Sequence, residues 1–511
     1  MTNTPQQTMS QTTLQDLESR LWDSANALRG PVDPADFKNY VFPMLFWKWI
    51  SDTWEHEHRL AVADFGDELN DEIEADYHRF VMPAGTLWRE VTGKVNNVGH
   101  LIQMTFSNVE QANPKSLAGI FGDVSWANTD RLPDTALHGL IRAMNRLTLD
   151  PEHVSHDLLG QGYEYLLKNF ADDSGKKAGE FFTPREVVNL IVDILDPQEG
   201  ESVCDPAAGS GGMLVATINR MKARGLDART LNLYAQEVNL TTAGIARMNL
   251  FLHEIESAHV HRGDTLRDPG FRTKSGALQT FDVVIANPPF SLKNWGADGW
   301  VADSRALCGV PPDGNGDFAW VEHMIASAKP GTGRVGVVMP HGVLFRSGKE
   351  AAIRECLIRK DLLEAVIGLP PNLFYSTTIP ACIMVFRTTK PAGRKGHVLF
   401  VDGSARFAKG KNQNVMSSDD VDTLVQAYRT GTDPDGDGGA NVRLVPLAEL
   451  QENGFDLNIG RYIKVAAAEQ LNVADALAAY QAAREERIDA EKALFTRLAA
   501  AGIAHLGDTD G

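Results

Sequence analysis

Cysteine, positive charge and long apolar runs are all scarce in this chain of 511 residues. The four cysteines are far apart and form no C-x-x-C pair, which argues against a zinc ribbon or a disulfide scaffold. No apolar run is long enough to cross a membrane, and the N-terminus lacks the apolar core of a signal peptide. These absences predict a soluble cytoplasmic protein without a membrane partner, in which each cysteine is a small core residue: Cys204, Cys308, Cys356 and Cys382.

The formal net charge of −18 excludes a surface that wraps nucleic acid unaided, because phosphate binding needs clustered Lys and Arg. If DNA is the substrate, we expect another subunit to make many of the contacts that bind it. Hydrophobic residues make up 43% of the chain and charged residues 23%, as in ordinary globular proteins. The length predicts two to four domains.

Three regions differ in their hydrophobic pattern. Up to about residue 170 the spacing is helical, and an aromatic-rich stretch broken only at Pro43 indicates helices packed in a bundle. After a polar loop, short continuous apolar runs alternate with helix-length segments, which is typical of a doubly wound α/β sheet. From residue 461 to residue 501 the chain lacks Gly and Pro, which predicts one or two helices. We predict an α/β fold with a helical N-terminal domain (1–170), a Rossmann-like sheet domain (171–460) and a C-terminal helical tail (461–511).

A glycine-rich turn follows the first predicted strand, in the stretch "DPAAGSGGM" that starts at Asp205. Glycines there let the backbone approach a ligand at the carboxyl edge of the sheet. Leu214 occupies the place of the third glycine of a dinucleotide fingerprint, which counts against NAD or FAD. Glu237 and Asp264 end the next two strands. Two acids beside a glycine turn favour a cofactor with a ribose and an adenine but no phosphates, and S-adenosylmethionine has that chemistry.

The fourth strand of this series ends in Asn287-Pro288-Pro289-Phe290. Prolines end ladder hydrogen bonding and fix the direction of the backbone carbonyl groups. The Asn287 oxygen and the Pro288 carbonyl can each accept one N–H of a planar amino group, so that its lone pair points at a methyl donor. Phe290 offers a face on which an extruded base can stack. Taken alone, the motif is compatible with adenine, cytosine or glutamine as the substrate, and the chemistry requires no metal.

The segment from Ser291 to Asp317 has many glycines, two tryptophans and little periodicity. A loop of this length is usually functional or disordered. Two interpretations remain open, a segment that closes near the flipped base and a solvated insertion.

The motifs "DPAAGSGGM", "AQEVN", "GDTL" and "NPPF", in that order, resemble the gamma-type S-adenosylmethionine-dependent DNA N6-adenine methyltransferases. "GEFFTPREVVNLIV" before the first strand, "YVFPMLFWKWISD" in the helical region and "LPPNLFYSTTIPACIMVF" near the end of the sheet narrow the resemblance. Together they resemble the modification subunit of type I restriction-modification systems, over nearly the whole chain.

The resemblance implies roles for individual residues. Asn287, Pro288, Pro289 and Phe290 would be catalytic. The cofactor-binding residues would include a segment that closes over the methionine end of S-adenosylmethionine: Glu180, Phe181, Phe182, Thr183, Pro184 and Arg185. Asp205, Gly209, Ser210 and Gly211 would hold the methionine portion and the ribose. Glu237 would bind the ribose hydroxyls, and Asp264 would accept a hydrogen bond from the adenine amino group.

The resemblance also implies partners: double-stranded DNA, a DNA-recognition (specificity) subunit bound by two copies of this chain, and a restriction translocase subunit, in a prokaryotic cytoplasm. The helical tail would dock to a partner or pack on its own domain. Two other functions remain open. A protein methyltransferase acting on glutamine would use a similar site, although its aromatic residue is usually Tyr. A non-catalytic assembly subunit would not need an intact Asn287 motif.

Overall fold

The structure is a computed structural model that describes residues 12–94, 96–174, 183–374, 379–411, 413–433, 441–463 and 473–500. The chain divides into two compact units, Met1–Tyr462 and Ile463–Gly511. Glu180, Phe181 and Phe182 lie outside the described residues.

The first part of the large unit is helical, as predicted. Its core is rich in aromatic side chains, including Phe42 against Tyr163 with ring centroids 4.4 Å apart and Phe106 stacked on Phe121 at 4.0 Å. Such pairs add to the stabilisation that burial provides. The helices described before residue 175 are α1 (Leu14–Asn26), α2 (Phe37–Phe65), α3 (Asp71–Tyr77), α4 (Trp88–Thr92), α5 (Val98–Ala112), α6 (Asp134–Met144) and α7 (His156–Ser174).

The predicted helix break at Pro43 is wrong, because α2 runs through this proline. A proline inside a helix removes one backbone hydrogen bond. Phe42, Phe46 and Trp47 on either side of it are fully buried, and their burial outweighs that loss. Helix α7 runs past residue 170, so the predicted boundary between helical and sheet domains falls inside a helix and stays a prediction.

A nine-stranded sheet forms the centre of the second part, in the order β11-β8-β6-β7-β5-β4-β1-β2-β3. Strand β7 is antiparallel to β5 and β6, β11 is antiparallel to β8, and the other neighbours are parallel. The strands, with the separate pair β9 and β10, are β1 (Ser202–Asp205), β2 (Asn232–Glu237), β3 (His259–Arg262), β4 (Val283–Ala286), β5 (Arg334–Pro340), β6 (Leu363–Gly368), β7 (Ala381–Arg387), β8 (His397–Asp402), β9 (Ala408–Lys409), β10 (Asn414–Val415) and β11 (Asn441–Pro446).

Helices connect these strands and cover the sheet, which confirms the predicted α/β class. Strands β4 and β5 are buried along their whole length, as their continuous apolar runs predicted. The helices of this part are α8 (Arg185–Leu195), α9 (Gly212–Ala223), α10 (Leu240–Leu252), α11 (Asp317–Ala326), α12 (Lys349–Arg359), α13 (Ser418–Thr430), α14 (Leu447–Glu452) and α15 (Ile459–Tyr462).

The predicted independence of the four cysteines is wrong for two of them. Cys308 and Cys356 form a disulfide that joins the segment before α11 to α12, whereas Cys204 and Cys382 are buried free thiols. The two bonded residues are 48 positions apart, so that only the tertiary fold brings them together.

In the small unit, α16 (Val473–Ala500) confirms the predicted helix in the tail. Four large apolar side chains on it are exposed: Leu477, Tyr480, Leu494 and Phe495. Among the described residues, no helix is both long and apolar enough to span a membrane.

Candidate active site

A cavity of about 570 Å³ opens at the carboxyl edge of the sheet. Asp205 and Glu237 are the last residues of β1 and β2, Asp264 follows β3, and Asn287 comes directly after β4. The four strands are neighbours in the sheet and run parallel, so their ends lie side by side. Six of the residues predicted from the sequence line the cavity: Gly209, Ser210, Glu237, Asp264, Asn287 and Pro289.

The glycine turn after β1 is bound to the end of β2. Gly209 has a φ of +52° and Gly211 a φ of +78°, which is the left-handed region that glycine adopts without strain. The Gly209 N–H donates to Glu237 Oε2 over 3.0 Å, and the Ala208 N–H donates to the Gln236 carbonyl over 3.0 Å. Helix α9 begins directly after Gly211, so the turn presents backbone N–H groups near the start of a helix.

Asp205 lies behind this turn and is 2% exposed. The pKa of the Asp205 carboxyl is raised to about 7, chiefly by burial and to a smaller degree by the neighbouring Glu237 carboxylate, while a hydrogen bond from the Ala207 N–H lowers it. The Ala207 N–H is 3.0 Å from Asp205 Oδ1. Asp205 therefore stabilises the turn through this hydrogen bond. Its side chain does not line the cavity.

Asp264 has one carboxylate oxygen occupied by the backbone. Its Oδ1 accepts the N–H groups of Leu266 and Arg267 over 3.1 and 3.2 Å. The Arg267 guanidinium is 3.5 Å from Oδ2 and is half exposed, so this ion pair is weak. The carboxylate is thus held in a fixed direction at the cavity wall.

Asn287 has its side-chain amide held by one end only. Its Nδ2 donates to Thr183 Oγ1 over 2.8 Å. Its Oδ1 is buried and has no hydrogen-bond partner among the described residues. A buried carbonyl oxygen without a partner costs free energy. An unpaired acceptor at a cavity wall is suited to a ligand with an N–H donor.

Phe290 is half-buried beside the motif. Its ring meets that of Phe374 edge to face, with the ring centroids 6.3 Å apart. Phe374 belongs to the stretch "LPPNLFYSTTIPACIMVF" and is itself buried. Phe290 does not line the cavity, and neither do Thr183, Pro184, Arg185, Gly211 and Pro288.

A buried ion-pair network, which no sequence pattern predicted, fixes the end of the Asn287–Phe290 motif. The N–H of Ser291 donates to Asp317 Oδ1 over 2.6 Å. Asp317 is 1% exposed and pairs through its other oxygen with Arg346 at 2.7 Å, and Arg346 also contacts Glu350 at 3.0 Å. Ser291 has a φ of +53°, which is uncommon outside glycine, so this network stabilises a strained residue.

The segment from Ser291 to Asp317 forms a wall of the site, and the interpretation as a solvated insertion is wrong. Trp295 and Trp300 are each 1% exposed, and the indole N–H of Trp300 donates to the Leu266 carbonyl. Arg305 lies over Trp300 and donates to the carbonyl of Thr265 over 2.8 Å. Tryptophan burial and these hydrogen bonds attach the segment to the loop after β3.

The helical region also lines the cavity, which the sequence did not predict. Lys38, Phe42 and Phe170 contribute to the lining, together with Trp320 from α11. In the sequence, the aromatic residues of α2 and α7 have the spacing of ordinary core residues. Only the packing of these helices against α10 brings them to the edge of the sheet.

The parallel strands, the glycine turn and the acids at successive strand ends indicate a Rossmann-like methyltransferase fold. Comparisons with known proteins identify the family. The model of the N-6 DNA methylase family matches residues 154–470, and that of the HsdM N-terminal domain matches residues 17–144. The chain belongs to this family of type I restriction-modification methyltransferase subunits, which are S-adenosylmethionine-dependent and specific for adenine N6 in DNA.

Similar proteins agree with this assignment. The methylase subunit of the type I restriction enzyme HindI of Haemophilus influenzae is 33% identical over 417 residues, which are 78% of this chain and 92% of that protein. The MjaIX methylase subunit of Methanocaldococcus jannaschii is 28% identical over 480 residues, which are 88% and 84% of the two chains. A crystal structure of a type I methyltransferase subunit from Streptococcus thermophilus has a TM-score of 0.77 at 29% identity and covers 88% of this chain and 100% of its own.

These findings confirm the resemblance noted in the sequence. They decide against a protein glutamine methyltransferase and against a non-catalytic assembly subunit.

Proposed function

We propose that the cavity binds S-adenosylmethionine and that the motif Asn287–Phe290 holds an adenine flipped out of duplex DNA. The observation that carries this proposal is the Asn287 amide, which is fixed through Nδ2 while its buried Oδ1 has no partner among the described residues. The same cavity is lined by Glu237 and Asp264.

The residues of the cavity fit this cofactor. Its volume of about 570 Å³ lies within the range typical of ligand sites. Glu237 at the end of β2 would accept hydrogen bonds from the ribose hydroxyls, and Asp264 would accept one from the adenine amino group. Gly209 and Ser210 would let the backbone approach the methionine portion. When bound, the cofactor supplies a methyl group on a positively charged sulfur.

Asn287 and Pro288 would prepare the target nitrogen. The N6 lone pair of adenine is delocalised into the ring, so N6 is a weak nucleophile. If Asn287 Oδ1 and the Pro288 carbonyl each accept one N6–H, the lone pair is directed out of the ring plane. With its lone pair so directed, N6 could accept the methyl group that the bound cofactor would supply from its sulfur, and N6 would then release one proton to solvent. Because the two acceptors are held before the reaction, little reorganisation is needed.

Phe290 would stack on the extruded base. An adenine inside a duplex cannot be reached by the cofactor, so the base has to leave the helix. Phe290 is half-buried, and its edge-to-face contact with Phe374 helps to fix the orientation of its ring.

We propose that double-stranded DNA is bound jointly with a specificity subunit, at two copies of this chain per specificity subunit, and that a restriction translocase subunit joins them. The net charge of −18 supports this division, because the chain alone is unsuited to tight DNA binding. The exposed apolar residues of α16 support the tail as a docking surface for a partner. In this proposal the assembly acts on its DNA in a prokaryotic cytoplasm.

The test removes the Asn287 amide. We expect Asn287→Ala to lower the rate of methyl transfer to adenine N6 by a factor of about 1,000 or more, since one of the two acceptors is lost. The dissociation constant for S-adenosylmethionine should stay within about twofold, because Asn287 has no assigned role in cofactor binding. Labelled cofactor and calorimetry measure the two quantities in the complex with the specificity subunit.

The matched control is Asn128→Ala at an exposed position of the helical region, which should change neither quantity. A normal rate for Asn287→Ala, or a loss of cofactor binding, would refute this division of roles.

A further inference from the structure

Lys293 lies at the rim of the cavity, shortly after the Asn287–Phe290 motif. Its side chain is exposed and contributes to the cavity lining. We propose that Lys293 binds a phosphate of the target DNA strand next to the flipped adenine. The inference rests on the proposed function and adds a DNA contact to it.

The charge of Lys293 is available to a ligand. Within the described part of the chain, Lys293 forms neither an ion pair nor a hydrogen bond. Arg267, another cation of the cavity wall, is 3.5 Å from Asp264 and donates to the Asn294 carbonyl. Of these two cations, Lys293 is therefore the one whose charge can neutralise an incoming anion.

Exposed lysines are common on proteins, but the backbone around this one is fixed. The Gly316 N–H donates to the Leu292 carbonyl over 2.9 Å. The Asn294 N–H donates to the Asp313 carbonyl over 3.3 Å. These bonds hold the residues on both sides of Lys293. A cation on an ordered segment loses less conformational entropy on binding a phosphate than a cation on a mobile loop does.

The position of Lys293 favours a DNA phosphate over the carboxylate of the cofactor. The methionine portion would lie at the glycine turn after β1, whereas Asn294, the residue after Lys293, is bound by Arg267 in the loop after β3. Strand β2 separates β1 from β3 in the sheet. At the end of β3 the cofactor would place its adenine, which is uncharged. The remaining anion of the proposed function is the DNA backbone.

A cation at this rim also offsets the negative charge of the cavity. Glu237 and Asp264 line the same cavity, and the whole chain has a net charge of −18. A flipped adenine stays attached to its strand, so the phosphates on either side of it are brought to the mouth of the cavity. The two carboxylates repel these phosphates, and Lys293 would attract one of them.

The test measures DNA affinity in the complex of the full chain with its specificity subunit. Lys293→Gln removes the charge and keeps a long polar side chain. Loss of one phosphate contact should reduce the salt dependence of binding by about one in the log–log slope. The dissociation constant for DNA should then rise about eightfold at about 0.1 M salt, and that for S-adenosylmethionine should not change. Lys293→Arg keeps the charge and should restore DNA affinity to within about twofold.

A neutral phosphate locates the contact. The probe is a synthetic duplex whose target adenine has been identified by sequencing of the methylated product, with one methylphosphonate placed beside that nucleotide. The unchanged complex should bind the duplex about eightfold more weakly when the contacted phosphate is replaced. The Lys293→Gln complex has already lost this contact and should bind the modified and unmodified duplexes about equally.

The matched control is Lys360→Gln. Lys360 is exposed and precedes β6, so it lies at the amino edge of the sheet, opposite the cavity. This variant loses the same charge from the chain, and its DNA affinity and salt dependence should equal those of the unchanged complex.

Three results would overturn the inference. The first is normal DNA affinity and salt dependence in Lys293→Gln. The second is weaker binding of the cofactor with unchanged DNA affinity, as expected of a cofactor contact. The third is a methylphosphonate effect that is equal in the variant and in the unchanged complex. If the glutamine variant does not fold, Lys293→Met carries the same expectation.

Failure of the proposed function has a different signature. An unchanged complex that labels no adenine would refute the proposed function itself, whatever the variants do. A complex that methylates adenine and binds DNA equally well without the Lys293 charge would refute the phosphate contact alone.

Discussion

Asp317 lies outside the Asn287–Phe290 motif, yet its charge should control the motif's geometry. Asp317→Asn keeps the shape of the side chain and removes the charge that pairs with Arg346 at 2.7 Å. Asp317 is buried, and charged hydrogen bonds of this kind contribute about 1.5–3 kcal/mol. Arg346 keeps its contact with Glu350 at 3.0 Å. The loss of stability should therefore stay below the roughly 3–5 kcal/mol expected when a buried charge is left without any partner. We expect the free energy of unfolding to fall by about 2–3 kcal/mol.

The same substitution should slow catalysis. The Asn amide can accept the Ser291 N–H or the Arg346 guanidinium through Oδ1, but its Nδ2 then faces the other donor. Ser291 directly follows Phe290 and has a φ of +53°, so a weaker hold on Ser291 shifts the neighbouring motif. Displacement of positioned groups is costly in rate, and we expect a loss of about tenfold or more in methyl transfer.

Urea unfolding and single-turnover methylation measure the two effects. Asp227→Asn is the matched control, because Asp227 pairs with Arg229 at an exposed position of the same unit. Exposed pairs contribute little, so the control should have nearly the same free energy of unfolding as the unchanged chain and the same rate of methylation. If Asp317→Asn behaves like the control in both assays, the network does not hold the motif.

Three further predictions concern the walls of the cavity. Because the pKa of Asp205 is raised to about 7, the folded chain keeps this proton to a higher pH than the unfolded chain does, so a rise in pH favours unfolding. Relative to Asp205→Asn, the free energy of unfolding should fall by about 2 kcal/mol between pH 5.5 and 8, as measured by urea titrations at each pH. A flat difference would contradict the buried charge. Glu237→Gln keeps an acceptor for the Gly209 N–H but loses the charge that would face the ribose. Calorimetry should therefore show about tenfold weaker binding of S-adenosylmethionine. Equal affinity would exclude the ribose contact. Arg305→Lys loses the fork that reaches the Thr265 and Leu266 carbonyls, and amide exchange should become at least about tenfold faster across residues 295–307, whereas unchanged exchange would show that the wall does not depend on Arg305.

Much of the fold and of the site was predictable because it depends on local patterns. The continuous apolar run before Asn287 could only be a buried strand of a covered sheet, and the structure has β4 there. Gly209 comes shortly after β1 and Glu237 ends β2, and parallel strands bring their carboxyl ends to one edge. The relative positions of these residues therefore follow from chain order and sheet topology.

What escaped prediction depends on contacts between distant parts of the chain. Asp317 and Arg346 are 29 residues apart, and the two cysteines of the disulfide are 48 apart. A lone acidic residue at the start of a helix looks like a surface residue in the sequence, because its partners are set by how α11 and α12 pack. Phe42 likewise looked like a core residue of a bundle, whereas it also lines the cavity.

Helix α10 belongs to two hydrophobic cores at once. Ile245, Met248 and Phe251 pack in the core of the helical region, while Leu250 packs in the core of the sheet. The Tyr163 hydroxyl of α7 donates to the Ile245 carbonyl over 3.0 Å. The methylase family model begins at residue 154, so it includes α7 but not α2, which also packs against α10. Removal of the residues before 154 would therefore expose apolar side chains of a helix that starts beside Glu237. A chain cut at this family boundary would lose structural support for the cavity at the sheet edge.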